Sequence, residues 1–191
     1  HTTGPFFPAQ FIRAGDNDLT RRGGEDPLAA GERLAVSGRV LDINGTPGVN
    51  VIIEIWQADA QGRFPHPADT RPGPAPDPNF KNWGRTWTDK EGRFRFVTVK
   101  PGGYPAPDGG NWWRAPHVNV MIIGAGMMRP VVTQIFFPDE ALNADDPQLA
   151  LVPTAKARAR LIAQPDAAAD GLRSYRFDIV LAGKNQTPFF A

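Results

Sequence analysis

Cysteine is absent from the 191 residues. The chain therefore has no disulfide frame and no thiolate chemistry, and the expected setting is a reducing cytoplasm. A charge excess is also missing: 21 Lys and Arg stand against 20 Asp and Glu, for a net charge of +1. That removes the electrostatic case for binding nucleic acid or an anionic membrane. No apolar run approaches the roughly 18 residues that a membrane span needs. The first residues, His1-Thr2-Thr3-Gly4-Pro5-Phe6, lack the basic and apolar regions of a signal peptide. Glycine and proline are abundant, at 20 each, which implies many loops and tight turns. An apolar content of 41% and a charged content of 21% are ordinary for a globular protein. The length suits a single domain, 1–191, with a sizeable core.

Residues 1–30 show little periodicity. Gly4-Pro5-Phe6-Phe7-Pro8 cannot lie inside a helix, because two prolines break it. Residues 1–30 are read as an extended N-terminal arm whose aromatics, Phe6, Phe7 and Phe11, need a surface to bury against. Strand patterns follow at 34–42 and 49–58, separated by a turn at Asn44-Gly45, the strongest of hairpin signals. The near-continuous apolar run of 49–58 predicts burial on both faces. Residues 64–83 form a Pro-rich loop long enough to be functional. Residues 85–88 and 93–99 flank Asp89-Lys90-Glu91-Gly92 and read as a hairpin. Further strands are expected at 118–123, 131–137 and 174–181, and a helix at 154–163 behind a Thr154 cap. Residues 139–152 are polar and loop-like. The sum is an all-β fold, a sandwich of about six to eight strands with long loops and one short helix.

The richest stretch is 100–124. A Pro/Gly loop carries Tyr104. The segment Trp113-Arg114-Ala115-Pro116-His117-Val118-Asn119 follows. His117 and Asn119 are two apart on a predicted strand, so they share a face. A tyrosine on a loop aimed at two such groups has the form of a metal or substrate site.

These motifs, with Ile55-Trp56-Gln57-Ala58-Asp59, Gly62-Arg63-Phe64, Asp77-Pro78-Asn79-Phe80, Trp83-Gly84-Arg85 and Pro101-Gly102-Gly103-Tyr104-Pro105, resemble the intradiol ring-cleavage dioxygenases. Within that family the likeness is to chains of the protocatechuate-cleaving branch. It covers most of residues 4–137. The family's iron-binding chains hold Fe(III) with two tyrosines and two histidines, in Gly-Arg-Tyr, Pro-Gly-x-Tyr-Pro and His-x-His contexts. The matching positions here are Phe64, Tyr104, His117 and Asn119. Phe64 has no donor atom, and Asn119 offers only a neutral amide, a poor ligand for a ferric ion. Arg-Ala-Pro-His also replaces the family's Arg-Pro-Ala-His.

The resemblance thus implies a degenerate metal site, with no metal and no catalytic residue in this chain alone. It is similar to the alpha-type member of a hetero-oligomer whose homologous beta-type chain holds Fe(III). Thr3, Gly4, Pro5 and Phe6 resemble the segment with which alpha-type chains line the partner's substrate pocket. Arg114 and Gln134 match residues near the beta-type pocket and are expected to line its remnant here. The implied reaction inserts both atoms of O₂ into a dihydroxybenzoate and cleaves the ring between its hydroxyls. Two other readings stand beside it. One is a self-sufficient dioxygenase with an unusual metal set. The other is a non-catalytic sandwich that binds small aromatics. On the plain reading, Tyr104 packs in a pocket, His117 is a hydrogen-bonded core residue, and His66 faces solvent.

Overall fold

The computed structural model describes residues 13–106, 110–124 and 127–190. Two sheets pack face to face. The first contains β1 (Arg33–Leu41), with β4 (Arg93–Val99) antiparallel on one side and β10 (Leu172–Arg176) and β11 (Ile179–Val180) parallel on the other. Its outer strand is β9 (Gln164–Ala169). The second sheet runs β3 (Trp83–Trp87), β2 (Ile52–Trp56), β7 (His117–Ile123), β8 (Val131–Phe136), antiparallel throughout. A two-stranded ribbon, β5 (Tyr104–Pro105) with β6 (Trp113–Arg114), stands apart. Two one-turn helices follow β8: α1 (Pro147–Ala150) and α2 (Ala155–Arg158). The sandwich agrees with the sequence reading. Among the described residues, no helix is long and apolar enough to cross a membrane.

Alternation builds the core. Leu34, Val36 and Val40 of β1 and Phe94 and Phe96 of β4 meet Ile53 and Ile55 of β2 and Val118, Val120 and Ile122 of β7. Gln57, fully buried at the end of β2, joins the layers by donating to the Val99 carbonyl while its Oε1 accepts from Thr98 Oγ1. Residues 1–12 of the N-terminal stretch lie outside the described residues. Residues 13–30 run across the edges of both sheets. Arg85 N of β3 donates to Asp16 O, Val97 N of β4 donates to Asn17 O, and Leu19 is fully buried between them.

Both predicted hairpins turn out to be crossovers. The Asn44–Gly45 turn forms, with Asp42 N donating to Thr46 O, yet β1 and β2 belong to different sheets. The turn at 89–92 likewise carries the chain from β3 in one sheet to β4 in the other. A turn residue fixes the local reversal, while the apolar faces decide which sheet each arm joins. The 49–58 strand narrows to Ile52–Trp56 and is not buried on both faces, since Trp56 is exposed at 37%. The helix expected at 154–163 shortens to the 4 residues Ala155–Arg158. Thr154 does cap it, accepting from Ala157 N, but after Arg158 the chain passes through a 3₁₀ turn. The loop-like 139–152 contains α1.

The strand expected at 174–181 breaks at Phe177-Asp178. Gly38 explains why: a Cβ there would collide with the Phe177 carbonyl oxygen, so only glycine lets the two backbones meet. Phe177 N donates to Ser37 O, and the Asp178 side chain accepts from Arg39 N in place of a ladder bond. β9 has no apolar face to announce it, since all six residues are exposed. It exists because Asp170 and Gly171, both at positive φ, form the two-residue turn that folds it onto β10. Gly38→Ala is expected to destabilise the fold by about 2 kcal/mol, the scale of an overpacked core position. A urea melt with an unchanged midpoint would show that the β1–β10 junction tolerates the methyl group.

Candidate functional site

Carboxylates hold the long loop after β2, and Phe80 anchors its far end in the core. Asp59 accepts from Gln61 N, Arg63 N and Asp77 N. Asp69 accepts from Phe64 N and is gripped by both arms of Arg71, with Nε–Oδ1 at 2.7 Å and Nη2–Oδ2 at 2.6 Å. That grip, helped by the Phe64 amide, holds the Asp69 carboxyl down at about 2. Arg63, nearly buried, ties the loop further by donating to Arg71 O and Pro72 O. These contacts set Phe64 against Tyr104, edge to face, with ring centres 5.6 Å apart. The Arg71 guanidinium lies over the Tyr104 ring at 4.9 Å.

Tyr104 comes from β5 and meets His117, the first residue of β7. Tyr104 Oη and His117 Nε2 are 3.5 Å apart, a long contact. His117 Nδ1 donates to the Ala115 carbonyl at 2.6 Å, which fixes the tautomer and leaves Nε2 as the acceptor facing the phenol. Burial pushes the His117 imidazole down to about 4, and the nearby Arg114 charge adds to the shift. Burial pushes the Tyr104 phenol up, while Arg114 and Arg71 oppose it in part. Both groups are therefore neutral near pH 7.

Asn119 shares the face of His117, as the strand period requires, and is also buried. Both ends of its amide are hydrogen-bonded. Nδ2 donates to the Trp56 carbonyl at 3.1 Å, and Oδ1 accepts from Gln134 Nε2 at 2.8 Å. Gln134 Oε1 accepts from Arg114 Nη2 at 2.8 Å. Arg114 Nε donates to Asp146, a carboxylate exposed by only 1%. Arg114 and Gln134 are thus buried members of a polar chain. An open cavity of about 310 Å³ lies on the other side of Tyr104, walled by Trp56, Phe64 and Tyr104 and rimmed by His66 and Arg71.

Phe64, Tyr104 and His117 come together. Asn119 sits beside them but is wired to the polar chain. The donors do not fit a ferric ion held by two phenolates and two imidazoles. Two donors converge, one position is a hydrocarbon ring, and the fourth is an amide with both ends used. Among the described residues, no group of three or more His, Cys, Asp or Glu could hold a metal. The positions Thr3, Gly4, Pro5 and Phe6 lie outside the described residues.

A family model described as Dioxygenase matches residues 2–183. The beta chain of protocatechuate 3,4-dioxygenase from Burkholderia cepacia is 42% identical over 187 residues, covering 96% of this chain and 79% of the relative. The chain belongs to the intradiol dioxygenase family. The alpha chain from the same organism is 37% identical over 167 residues, covering 86% and 79%. Among solved structures, the dioxygenase domain of a carbohydrate-binding fusion protein from Streptomyces sp. SirexAA-E superposes with a TM-score of 0.60 at 25% identity. That match covers 95% of each chain. Identity alone does not decide between alpha and beta character.

Sequence reasoning missed Asp146, the anchor of the site. Its signal was present: Asp before Pro is an N-cap followed by proline at the first helical position. Asp146 does cap α1, accepting from Gln148 N and Leu149 N. Asp69 and Arg71 were missed as well, because nothing local says that a polar loop residue will return to the sheet, and Trp56 was read only as a strand residue.

Two measurements follow from this geometry. The folded-state pKa of His117, about 4, lies below its ordinary 6.5, so the unfolded chain takes up the proton first as pH falls. The stability held by the neutral ring is complete above about pH 6.5 and is lost towards pH 4, by about 3 kcal/mol at most. His117→Gln should flatten that slope in denaturant melts at successive pH values. Equal slopes in both proteins would disprove the assignment. Asp146→Asn should cost about 3 kcal/mol, because it leaves the Arg114 charge buried without its partner. A calorimetric loss below about 1 kcal/mol, the scale of one neutral hydrogen bond, would mean the anchor lies elsewhere.

Proposed function

We propose that this chain is the iron-free, alpha-type subunit of a protocatechuate 3,4-dioxygenase. A homologous beta-type chain holds Fe(III) in this reading. The assembly cleaves a dihydroxybenzoate between its two hydroxyls, and Thr3, Gly4, Pro5 and Phe6 line the partner's substrate pocket. The degenerate positions Phe64 and Asn119 carry the reading, and no catalytic residue is assigned to this chain alone. The engaged amide of Asn119 supports it, since a neutral amide is a poor ligand for ferric iron. The alpha-chain relatives, at 37% and 35% identity, are consistent with it.

The 42% identity to a beta chain favours a second reading, a chain that binds its own metal. Colour separates the two, because tyrosinate bound to ferric iron absorbs visible light. The chain purified alone is expected to be colourless and to hold far less than one iron per chain by elemental analysis. Co-expression with a beta-type chain should give a coloured complex with ring-cleaving activity. Stoichiometric iron in the isolated chain would overturn the alpha-type assignment.

A further inference from the structure

A cavity of about 820 Å³ lies away from Tyr104 and Asn119, on the outer face of the first sheet beside the end of β3. Ser37 is at its centre. In the sheet register Ser37 has Arg95 of β4 on one side and Arg176 of β10 on the other. Arg39, two residues along β1, stands opposite Arg93. Paired residues, and residues two apart, share a face of a sheet. All four guanidinium groups therefore belong to one face, and all four residues line the cavity.

Sheet stability does not explain this arrangement, because like charges directly opposite each other, as in Arg39 and Arg93, destabilise a strand pair. The carboxylates that answer the charges sit at the rim. Arg93 pairs with Asp89 and Glu91, Arg95 with Asp170, and Arg176 lies 3.8 Å from Asp178. These pairs are exposed, so they hold their side chains weakly and yield to a better-placed anion. Asp89 and Asp178 also line the cavity. Both are occupied within the protein, Asp89 by the amides of Glu91 and Arg93 and Asp178 by Arg39 N. Among the described residues, the Arg39 guanidinium has no carboxylate partner and the Ser37 hydroxyl makes no hydrogen bond.

We propose that this groove binds a phosphate-class oxyanion, free or as a phosphomonoester, over the Ser37 hydroxyl. Guanidinium forks match the spacing of phosphate oxygens and grip two at once. Arg95 and Arg176 reach the anion from either side, Arg39 closes on it from along β1, and the hydroxyl donates from below. The chain's net charge of +1 gives no general pull on anions, so selectivity comes from this local array. The site is independent of the alpha-type or beta-type character of the chain.

Calorimetric titration with inorganic phosphate and with phenyl phosphate, at ionic strength held constant with sodium chloride, tests it. Saturable binding is expected with a Kd of about 1 mM or tighter for at least one of the two. Arg39→Gln/Arg176→Gln, two exposed changes, should weaken that binding about tenfold or more while the melting temperature holds. Ser37→Ala should weaken it by a smaller factor. Tighter binding of phenyl phosphate would point to a monoester, and equal binding to the free anion. No saturable heat with either ligand up to ~10 mM, or an affinity unchanged in the double variant, would overturn the proposal.

Discussion

A carboxylate removed from water must be neutralised and given hydrogen-bond donors, or it will not stay buried. Asp146 meets that demand with Arg114 Nε and the amides of Ala115, Gln148 and Leu149. Meeting it fixes the corner between β6 and β7, caps α1 and sets the direction of the Arg114 guanidinium. Arg114 then orients Gln134, Gln134 orients Asn119, and Asn119 reaches the backbone of β2 at Trp56. Each member satisfies the next, so the whole chain of groups depends on the first charge being placed correctly.

That network sets the chemistry of the neighbouring pocket. It engages both ends of the Asn119 amide, which holds that side chain against the network. It also brings the Arg114 charge close to His117, which adds to the effect of burial and keeps the imidazole neutral. Tyr104 keeps its proton for the same reason of burial. The result is an aromatic cluster of Phe64, Tyr104 and His117 with no ionised group among them, beside a polar chain that is self-contained.

The parts of the fold that were legible in the sequence share one property, in that their determinants are local. Alternating apolar residues at 93–99 and 118–123 specify strands because the period of two is a backbone property. Thr154 specifies a cap because its hydroxyl reaches an amide three residues on. The donor-free ring of Phe64 and the neutral amide of Asn119 were legible because donor capacity is a matter of residue type alone. The errors were of the opposite kind. Asn44-Gly45 and the 89–92 turn reverse the chain as expected, but a turn carries no information about which sheet will accept the next strand. β9 was missed because a strand exposed at every residue has no periodic signal.

The sequence by itself determined the all-β class, most of the strand segments, the side-chain types of Phe64, Tyr104, His117 and Asn119, and the shared face of His117 and Asn119. Each follows from side-chain chemistry or from the geometry of one segment. The tertiary structure alone decided the pairing of β1 with β4, β10 and β11, the break at Phe177 beside Gly38, the neutrality of Tyr104 and His117, and the wiring of Asn119 to a carboxylate 27 residues away in sequence. The physical reason is that these depend on desolvation and on contacts between distant segments. A group's environment exists only once the chain has folded around it.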